Sequence, residues 1–382
     1  MKKEPSNKTK PKCISLFSGG GGFDIGLTEA GFDVFFATDM EPRCRETYIH
    51  PGNFGPDAHF YVGNVENVNK ALIEEVTGAP VGQVDLMVGG PPCPPYSKSR
   101  FYRKDKPRGI NDPVGDVTLR SYLRLLNEIK PRAFLFENVH GFVYKAHQEG
   151  FKLLKQTATE LGYSITYQVV NTADYGVPQT RKRFIMVGLQ GANFMFPAPS
   201  HSESGIKKGE QIKLFDALPA WVTAGEAIGD LDTDENASDE GHFAGGKHHD
   251  LLKEIPPGDN YLFFTEKRGH PDPKFKWRSR YWSFLLKLSP DKPSWTIQAR
   301  RSNNMGPLHW KNRILRIEEV KRLQTFPDEW FLAGTIEQQW RQVGNAVPPL
   351  LAKIIGKQII KTLNTTSFSK STRHNSSPGQ TL

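Results

Sequence analysis

The sequence is poor in cysteine and in long apolar runs, and each shortage narrows what it can be. Three cysteines occur in 382 residues (Cys13, Cys44 and Cys93), widely spaced, with no Cys-x-x-Cys pair and no Cys/His ladder. That argues against a disulfide-stapled scaffold and against a structural zinc site, and it suits a reducing cytosolic setting. No apolar stretch approaches the roughly 18 residues of a membrane-spanning helix. The opening MKKEPSNKTKPK has lysines but no apolar stretch before Cys13, so no secretory signal is expected. Acidic residues are in the minority: 50 Lys and Arg stand against 41 Asp and Glu, a formal charge of +9. A basic balance favours a polyanionic partner, most often nucleic acid, although a basic surface kept for solubility would give the same sum. At roughly 100–200 residues per domain, the length suggests two domains.

Residues 1–11 and 365–382 are polar and short of large apolar groups, so both are expected to be disordered tails. Between Lys12 and Leu189, short apolar runs alternate with helical patterns. The runs are Cys13–Phe17, Val34–Ala37, Val84–Val88, Ala133–Phe136 and Phe184–Val187. In Thr118–Ile129, Leu119, Tyr122, Leu123, Leu126 and Ile129 share one helical face. This predicts an α/β fold with a parallel sheet covered on both sides. Four runs end in chemically distinctive groups: Gly19–Gly22, Asp39, Pro91–Pro92–Cys93 and Glu137–Asn138. In open α/β sheets, ligands sit outside the carboxyl ends of the strands, so these ends mark a candidate active site. From about Pro197 to Leu288 the texture changes to Pro, Gly, Asp and His, with interleaved aromatic and basic residues. That reads as a loop-rich second module. Helical patterns return at Ile317–Phe326 and Pro349–Ile360, so a C-terminal helix is expected to complete the first domain.

The segment Phe17-Ser18-Gly19-Gly20-Gly21-Gly22-Phe23 follows a strand and precedes a helical pattern, where glycines allow a sharp turn and close approach to a ligand. Asp39 ends the next strand, placed to accept from ribose hydroxyls. Gly-x-Gly-x-x-Gly fails here, since the final position is Asp24 or Ile25, and a nucleoside cofactor without a pyrophosphate fits better than a dinucleotide. Cys93 lies among prolines and before Lys98, Arg100, Arg103, Lys104, Lys106 and Arg108, a positive field that favours thiolate. A small buried hydrophobe is the bland alternative. Glu137 closes an apolar strand, where desolvation raises a carboxyl's pKa toward that of a proton donor, and a salt-bridged structural role is the other reading. In Gln179-Thr180-Arg181-Lys182-Arg183, a period of two puts Arg181 and Arg183 on one face, suited to phosphate or a carbonyl oxygen; a solvated basic turn would look the same.

The ordered set FSGGGGF, Asp39, GGPPCPPYS, FENV, QTRKR and QVGNAVPP resembles the cytosine-C5 DNA methyltransferase family over residues 12 to about 360. The resemblance implies a Rossmann-like S-adenosylmethionine-dependent methyltransferase domain with a smaller target recognition domain inserted. Its expected boundaries are 12–196 for the first catalytic part, 197–334 for target recognition, and 335–364 for the helix completing the catalytic domain. It implies S-adenosylmethionine lined by Phe17, Gly19, Gly21, Gly22, Asp39, Met40, Asn64, Val65, Leu119, Asn345 and Val347, with S-adenosylhomocysteine as product and no metal. It implies Cys93 as nucleophile, Glu137 on the N3/N4 edge of cytosine, and Arg183 with Arg181 facing the base carbonyl. Ser97, Lys98, Arg100, Arg103, Trp295 and Thr296 would contact double-stranded DNA, the Lys98–Arg108 run as a loop closing on it. Three positions depart from the family pattern: Asn64 replaces the usual Asp, Pro94 the usual Gln, and Arg316 the usual Ser or Thr.

A tRNA cytosine methyltransferase of the same fold would share these residues, and an assay on duplex DNA against tRNA separates the two. A catalytically dead DNA-binding regulator is disfavoured by the joint presence of Cys93, Glu137 and Arg183, and a nicotinamide dehydrogenase by the broken glycine fingerprint. The size suggests a monomeric bacterial or phage modification enzyme in the cytoplasm, held at the nucleoid through DNA, with a restriction endonuclease acting separately.

Overall fold

The computed structural model describes residues 9–92, 94–96, 107–206, 218–233, 242–278 and 281–365. Seven strands form one sheet in the order β3-β2-β1-β4-β5-β8-β6: β1 (Lys12–Leu16), β2 (Asp33–Asp39), β3 (Phe60–Val62), β4 (Leu86–Gly89), β5 (Ala133–Val139), β6 (Tyr163–Asn171) and β8 (Lys182–Gln190). β1 through β5 run parallel, and β8 is antiparallel to both its neighbours, β5 and β6. The expected parallel sheet is therefore mixed, and Phe184–Val187 belongs to the antiparallel strand. A strand buried on both faces is apolar in either direction, so composition could not set its sense.

Side chains alternate across the sheet as a period of two requires. Ile14, Leu16, Met87, Phe134, Phe136, Phe184 and Met186 join one core with Tyr122, Leu123 and Leu126 of α4 (Pro113–Ile129) and Leu154 of α5 (Gln148–Glu160). Cys13, Leu86, Val88, Leu135, Ile185 and Val187 join another with Phe23 and Leu27 of α1 (Gly22–Ala30) and Leu351, Ile355 and Ile359 of α10 (Pro349–Thr365). α1 and α10 touch closely enough that a Cβ at Gly26 would lie 2.2 Å from the Pro349 carbonyl oxygen.

Residues 224–343 build a further core from Ile228, Leu252, Phe264, Leu285, Leu308, Val320, Trp330 and Trp340. Its elements are short: α6 (Ala224–Ile228), α7 (His249–Glu254), α8 (Ile317–Leu323) and α9 (Ile336–Asn345), among 3-10 turns. A two-stranded parallel ladder ties this module to the sheet, with Gln179 and Thr180 of β7 opposite Ser294 and Trp295 of β9.

The chain steps outward from β1 to β2 and β3, then returns to β4 on the other side. The switch point lies between β1 and β4, where a doubly wound sheet opens a crevice for ligands. The glycine tract leaves β1 there, and Gly90-Pro91-Pro92 leaves β4. The expected tails fall almost wholly at residues 1–8 and 366–382, outside the described residues.

Candidate active site

The cofactor edge runs along the ends of β1, β2 and β3. Asp39 closes β2, and its two carboxylate oxygens accept from the backbone N–H groups of Gly19 (2.9 Å) and Glu41 (3.0 Å). Burial raises its pKa, and those backbone hydrogen bonds oppose the rise. Phe17 is left-handed at φ 57°, an uncommon conformation for a bulky side chain and one that concentrates at functional sites. Within the Gly19–Gly22 tract, only Gly19 has open space where a side chain would be. A Cβ at Gly20 would meet Gln342, one at Gly21 Trp330, and one at Gly22 the Val347 carbonyl at 2.3 Å. Most of the glycine tract thus admits protein rather than ligand. Met40 is 68% exposed and Asn64 is exposed beside it in sequence order along the next strand end. An open thioether, an amide and an acceptor carboxylate around a bare Gly19 fit an adenosine-bearing cofactor.

The other expected cofactor residues divide. Val65 and Val347 are buried next to this edge and Asn345 is exposed at the end of α9, whereas Leu119 is fully buried in the sheet core and packs toward Gly150. Leu119 belongs to the helical face that makes α4 amphipathic and joins the core on that side of the sheet.

Glu137 stands near the end of β5, and its Oε1 pairs with Arg183 Nε at 2.9 Å, both side chains 11% exposed. Burial raises the Glu137 pKa, while Arg183 and then Arg181 pull it back down. Because β8 is antiparallel, its first residues lie at the edge where β5 ends, with Arg183 opposite Val139. Gly90 makes the carboxylate's position possible, since a Cβ there would lie 2.8 Å from Glu137 Oε2. Asn138 Nδ2 donates to the Pro91 carbonyl at 3.2 Å and so ties β5 to the Pro91–Pro92 turn. The sequence marks Asn138 only as part of a distinctive strand end and gives Gly90 no role beyond its place in the GGPPCPPYS motif.

Cys93 lies outside the described residues, as do Ser97, Lys98, Arg100 and Arg103 with most of the Lys98–Arg108 run. The chain on either side is held: Pro91 by Asn138, and the buried Tyr96 by its hydroxyl donating to Gly115 O (3.3 Å) and by edge contacts with Phe142 and His147.

Arg181 does not share the role expected for it beside Arg183. Its guanidinium is 1% exposed and donates to the carbonyls of Ile297 (2.9 Å), Gly344 (2.8 Å) and Ala346 (3.1 Å). It fastens the second module and the turn after α9 to the start of β8, and its charge lowers the Glu137 pKa. Arg181 precedes β8, so the strand alternation that would align it with Arg183 does not extend to it. Trp295 is 44% exposed, and Thr296 donates its hydroxyl to Thr180 O at 2.8 Å, so of this pair the indole is the open surface.

A family model of C-5 cytosine-specific DNA methylases matches residues 11–361, and the chain belongs to that family. It is a DNA cytosine-C5 methyltransferase, for which family and fold imply S-adenosylmethionine as methyl donor and DNA as substrate. The Type II methyltransferase M.SacI of Streptomyces achromogenes is 37% identical, over 92% of this chain and 93% of its own. M.MthTI of Methanothermobacter thermautotrophicus, also a Type II methyltransferase, is 32% identical over 91% of this chain and 97% of its own. The solved structure of the Entamoeba histolytica methyltransferase EhMeth superposes with a TM-score of 0.57, covering 93% of this chain and 99% of that one; at 17% identity it speaks for the fold alone.

Proposed function

We propose that this chain methylates C5 of a cytosine flipped out of duplex DNA, with Cys93 as nucleophile, Glu137 as the group on the base's N3/N4 edge, and Arg183 at its carbonyl. The carrying observation is the nearly buried Glu137–Arg183 pair at the ligand-binding edge, with Glu137 Oε2 facing a position that Gly90 keeps clear. The target atoms are stacked inside a duplex, so the base must leave the helix to reach this pair.

Cytosine C5 is a poor nucleophile. Addition of the Cys93 thiolate to C6, with a proton delivered to N3 from Glu137, moves the ring's electron density onto C5 as in an enamine. A raised pKa lets Glu137 carry that proton, and Arg183 steadies the carboxylate once the proton has gone. S-adenosylmethionine supplies a methyl group on positively charged sulfur. Gly19, Asp39, Met40 and Asn64 are proposed to hold it, Asp39 through the carboxylate lone pairs left over from its two backbone hydrogen bonds. After methylation, loss of the C5 proton and departure of the thiolate restore the aromatic ring.

The similarity to Type II methyltransferases supports a modification role in a restriction system; a separately acting endonuclease, a bacterial cytoplasm and a monomeric state complete the proposal. The test is covalent trapping. With S-adenosylmethionine and duplex DNA carrying 5-fluorocytosine at the target, wild type should form a stable adduct, since fluorine cannot leave as a proton. Cys93→Ser should form none while retaining DNA binding. Adduct on tRNA but not on duplex DNA, or substantial turnover by Cys93→Ser, would refute the assignment.

A further inference from the structure

The glycine tract that forms the cofactor edge is braced from behind by a strap 310 residues further along the chain. Trp330 Nε1 donates to the Gly20 carbonyl at 3.1 Å, and its ring occupies the space a Gly21 side chain would need, with Cζ2 3.0 Å from that Cβ position. Gly21 has φ +87°, a left-handed conformation whose cost is lowest for glycine. The ring is 6% exposed and meets Phe54 edge-on at 5.1 Å.

The residues after Trp330 grip the same edge. Asn53 accepts from Phe331 N–H at 3.0 Å and donates to Phe331 O at 2.9 Å. Ala333 N–H donates to Thr47 Oγ1 at 2.9 Å, and Gln342 accepts from the Thr47 hydroxyl at 2.7 Å while donating to Ala333 O at 2.9 Å. Thr47 and Asn53 belong to α2 (Pro42–Tyr48) and the turn after it, which follow directly from Asp39. One strap therefore fixes both the glycine tract and the segment leaving Asp39.

We infer that Trp330 is a positioning residue for cofactor binding. Its indole N–H and ring hold the Gly20–Gly21 backbone so that the bare face of Gly19 and the carboxylate of Asp39 stay in register. Its role is set by the back of the loop, whose front is where ligand would lie. A donor buried against a carbonyl acts in a direction-specific way: removal of the N–H alone frees the Gly20 peptide, while removal of the ring also frees the Gly21 turn. The inference rests on reading the Gly19–Asp39 edge as the cofactor site.

The experiment is calorimetric titration of S-adenosylhomocysteine into the full chain as wild type, Trp330→Phe and Trp330→Ala, with DNA affinity and melting temperature measured in parallel. Trp330→Phe keeps a ring and loses one neutral hydrogen bond, so its Kd should rise about three- to tenfold, with DNA affinity and melting temperature little changed. Trp330→Ala should weaken cofactor binding further, and KM for S-adenosylmethionine should rise in both variants while kcat at saturation holds. An unchanged Kd in Trp330→Phe, beside a wild type that binds, would overturn the inference and leave the cofactor reading standing. Parallel losses of cofactor affinity, DNA affinity and melting temperature would assign Trp330 to general stability and also overturn it. Absence of binding by wild type would remove the cofactor reading itself, and the inference with it.

Discussion

Asp24 lies on α1 directly behind the cofactor tract, fully buried, with the Tyr48 hydroxyl 3.4 Å from Oδ1. Burial pushes its pKa up to about 7, against which hydrogen bonds from Ser15 and Tyr48 only partly act. The unfolded chain ionises this carboxyl near pH 4, while the folded chain keeps it neutral to about pH 7. Its contribution is therefore fully present below about pH 4, falls as the pH rises toward 7, and is flat beyond, a loss of up to about 4 kcal/mol. Asp24→Asn, neutral throughout, should match wild type near pH 4 and exceed it at pH 8; urea unfolding at both pH values reads this, and parallel profiles would contradict it. Gly90 carries a second expectation. A methyl group there would stand 2.8 Å from Glu137 Oε2, so Gly90→Ala must push the carboxylate off its bond with Arg183. Misplacement on the order of 1 Å costs about a hundredfold in rate. Steady-state kinetics should show that fall in kcat with a melting temperature near wild type; a change confined to KM would count against the assigned geometry.

Around the start of β8 the chain places two arginines two residues apart and gives them unlike work. Arg181 satisfies the carbonyls of Ile297, Gly344 and Ala346 inside the protein, and Arg183 faces Glu137. Arg181→Ala should leave three buried acceptors unpaired and cost roughly 3–5 kcal/mol of stability. Arg183→Ala should instead lose turnover with a much smaller drop in melting temperature, and scanning calorimetry beside methyl-transfer assays separates the two. Similar losses in both would return Arg181 to the catalytic group. The sequence could not show this division, because it depends on carbonyls more than a hundred residues away. What was legible had local causes: strands β1, β2, β4 and β5 from fully apolar runs, α4 from its stripe, and the clustering of Asp39, Glu137 and the glycine tract from strand ends that share one edge. β6 was missed because it is an edge strand with half its side chains open, and the sense of β8 because burial on both faces erases direction. The glycine tract was legible as a turn, yet the occupants of its missing side chains, Trp330, Gln342 and Val347, come from the far end of the chain.

At the scale of the molecule, we propose that the sheet supplies the chemistry and that the module built around residues 224–343 reads DNA. The module's surface includes the Trp282–Trp295 pair, centroids 5.0 Å apart and each ring more than 40% exposed, and Lys267 lying 4.4 Å over Trp277. Aromatic faces and basic groups together are the side chains of groove and base contact, whereas lone Lys and Arg contacts to phosphate carry no sequence information. We predict that exchange of residues 197–310 for the equivalent region of a related Type II enzyme moves the methylated site to that enzyme's sequence. The donor must be a relative that keeps the apolar side chains packed on Val320, Leu323, Trp330 and Trp340, while part of the seam is made of backbone groups that any sequence supplies. Ser294 N–H donates to Pro178 O at 2.9 Å, Ile297 N–H to Gln179 Oε1 at 3.0 Å, and the carbonyls of Ile297 and Gln298 accept from Arg181 and Trp340. Neutralising individual Lys or Arg residues of the Lys98–Arg108 run should act differently, flattening the salt dependence of binding by about one unit of slope per phosphate contact without moving the site. Bisulfite sequencing of DNA from cells expressing each variant maps the methylated cytosines, and salt titration of binding gives the slopes. A chimera that methylates DNA at the original site would place sequence choice outside residues 197–310.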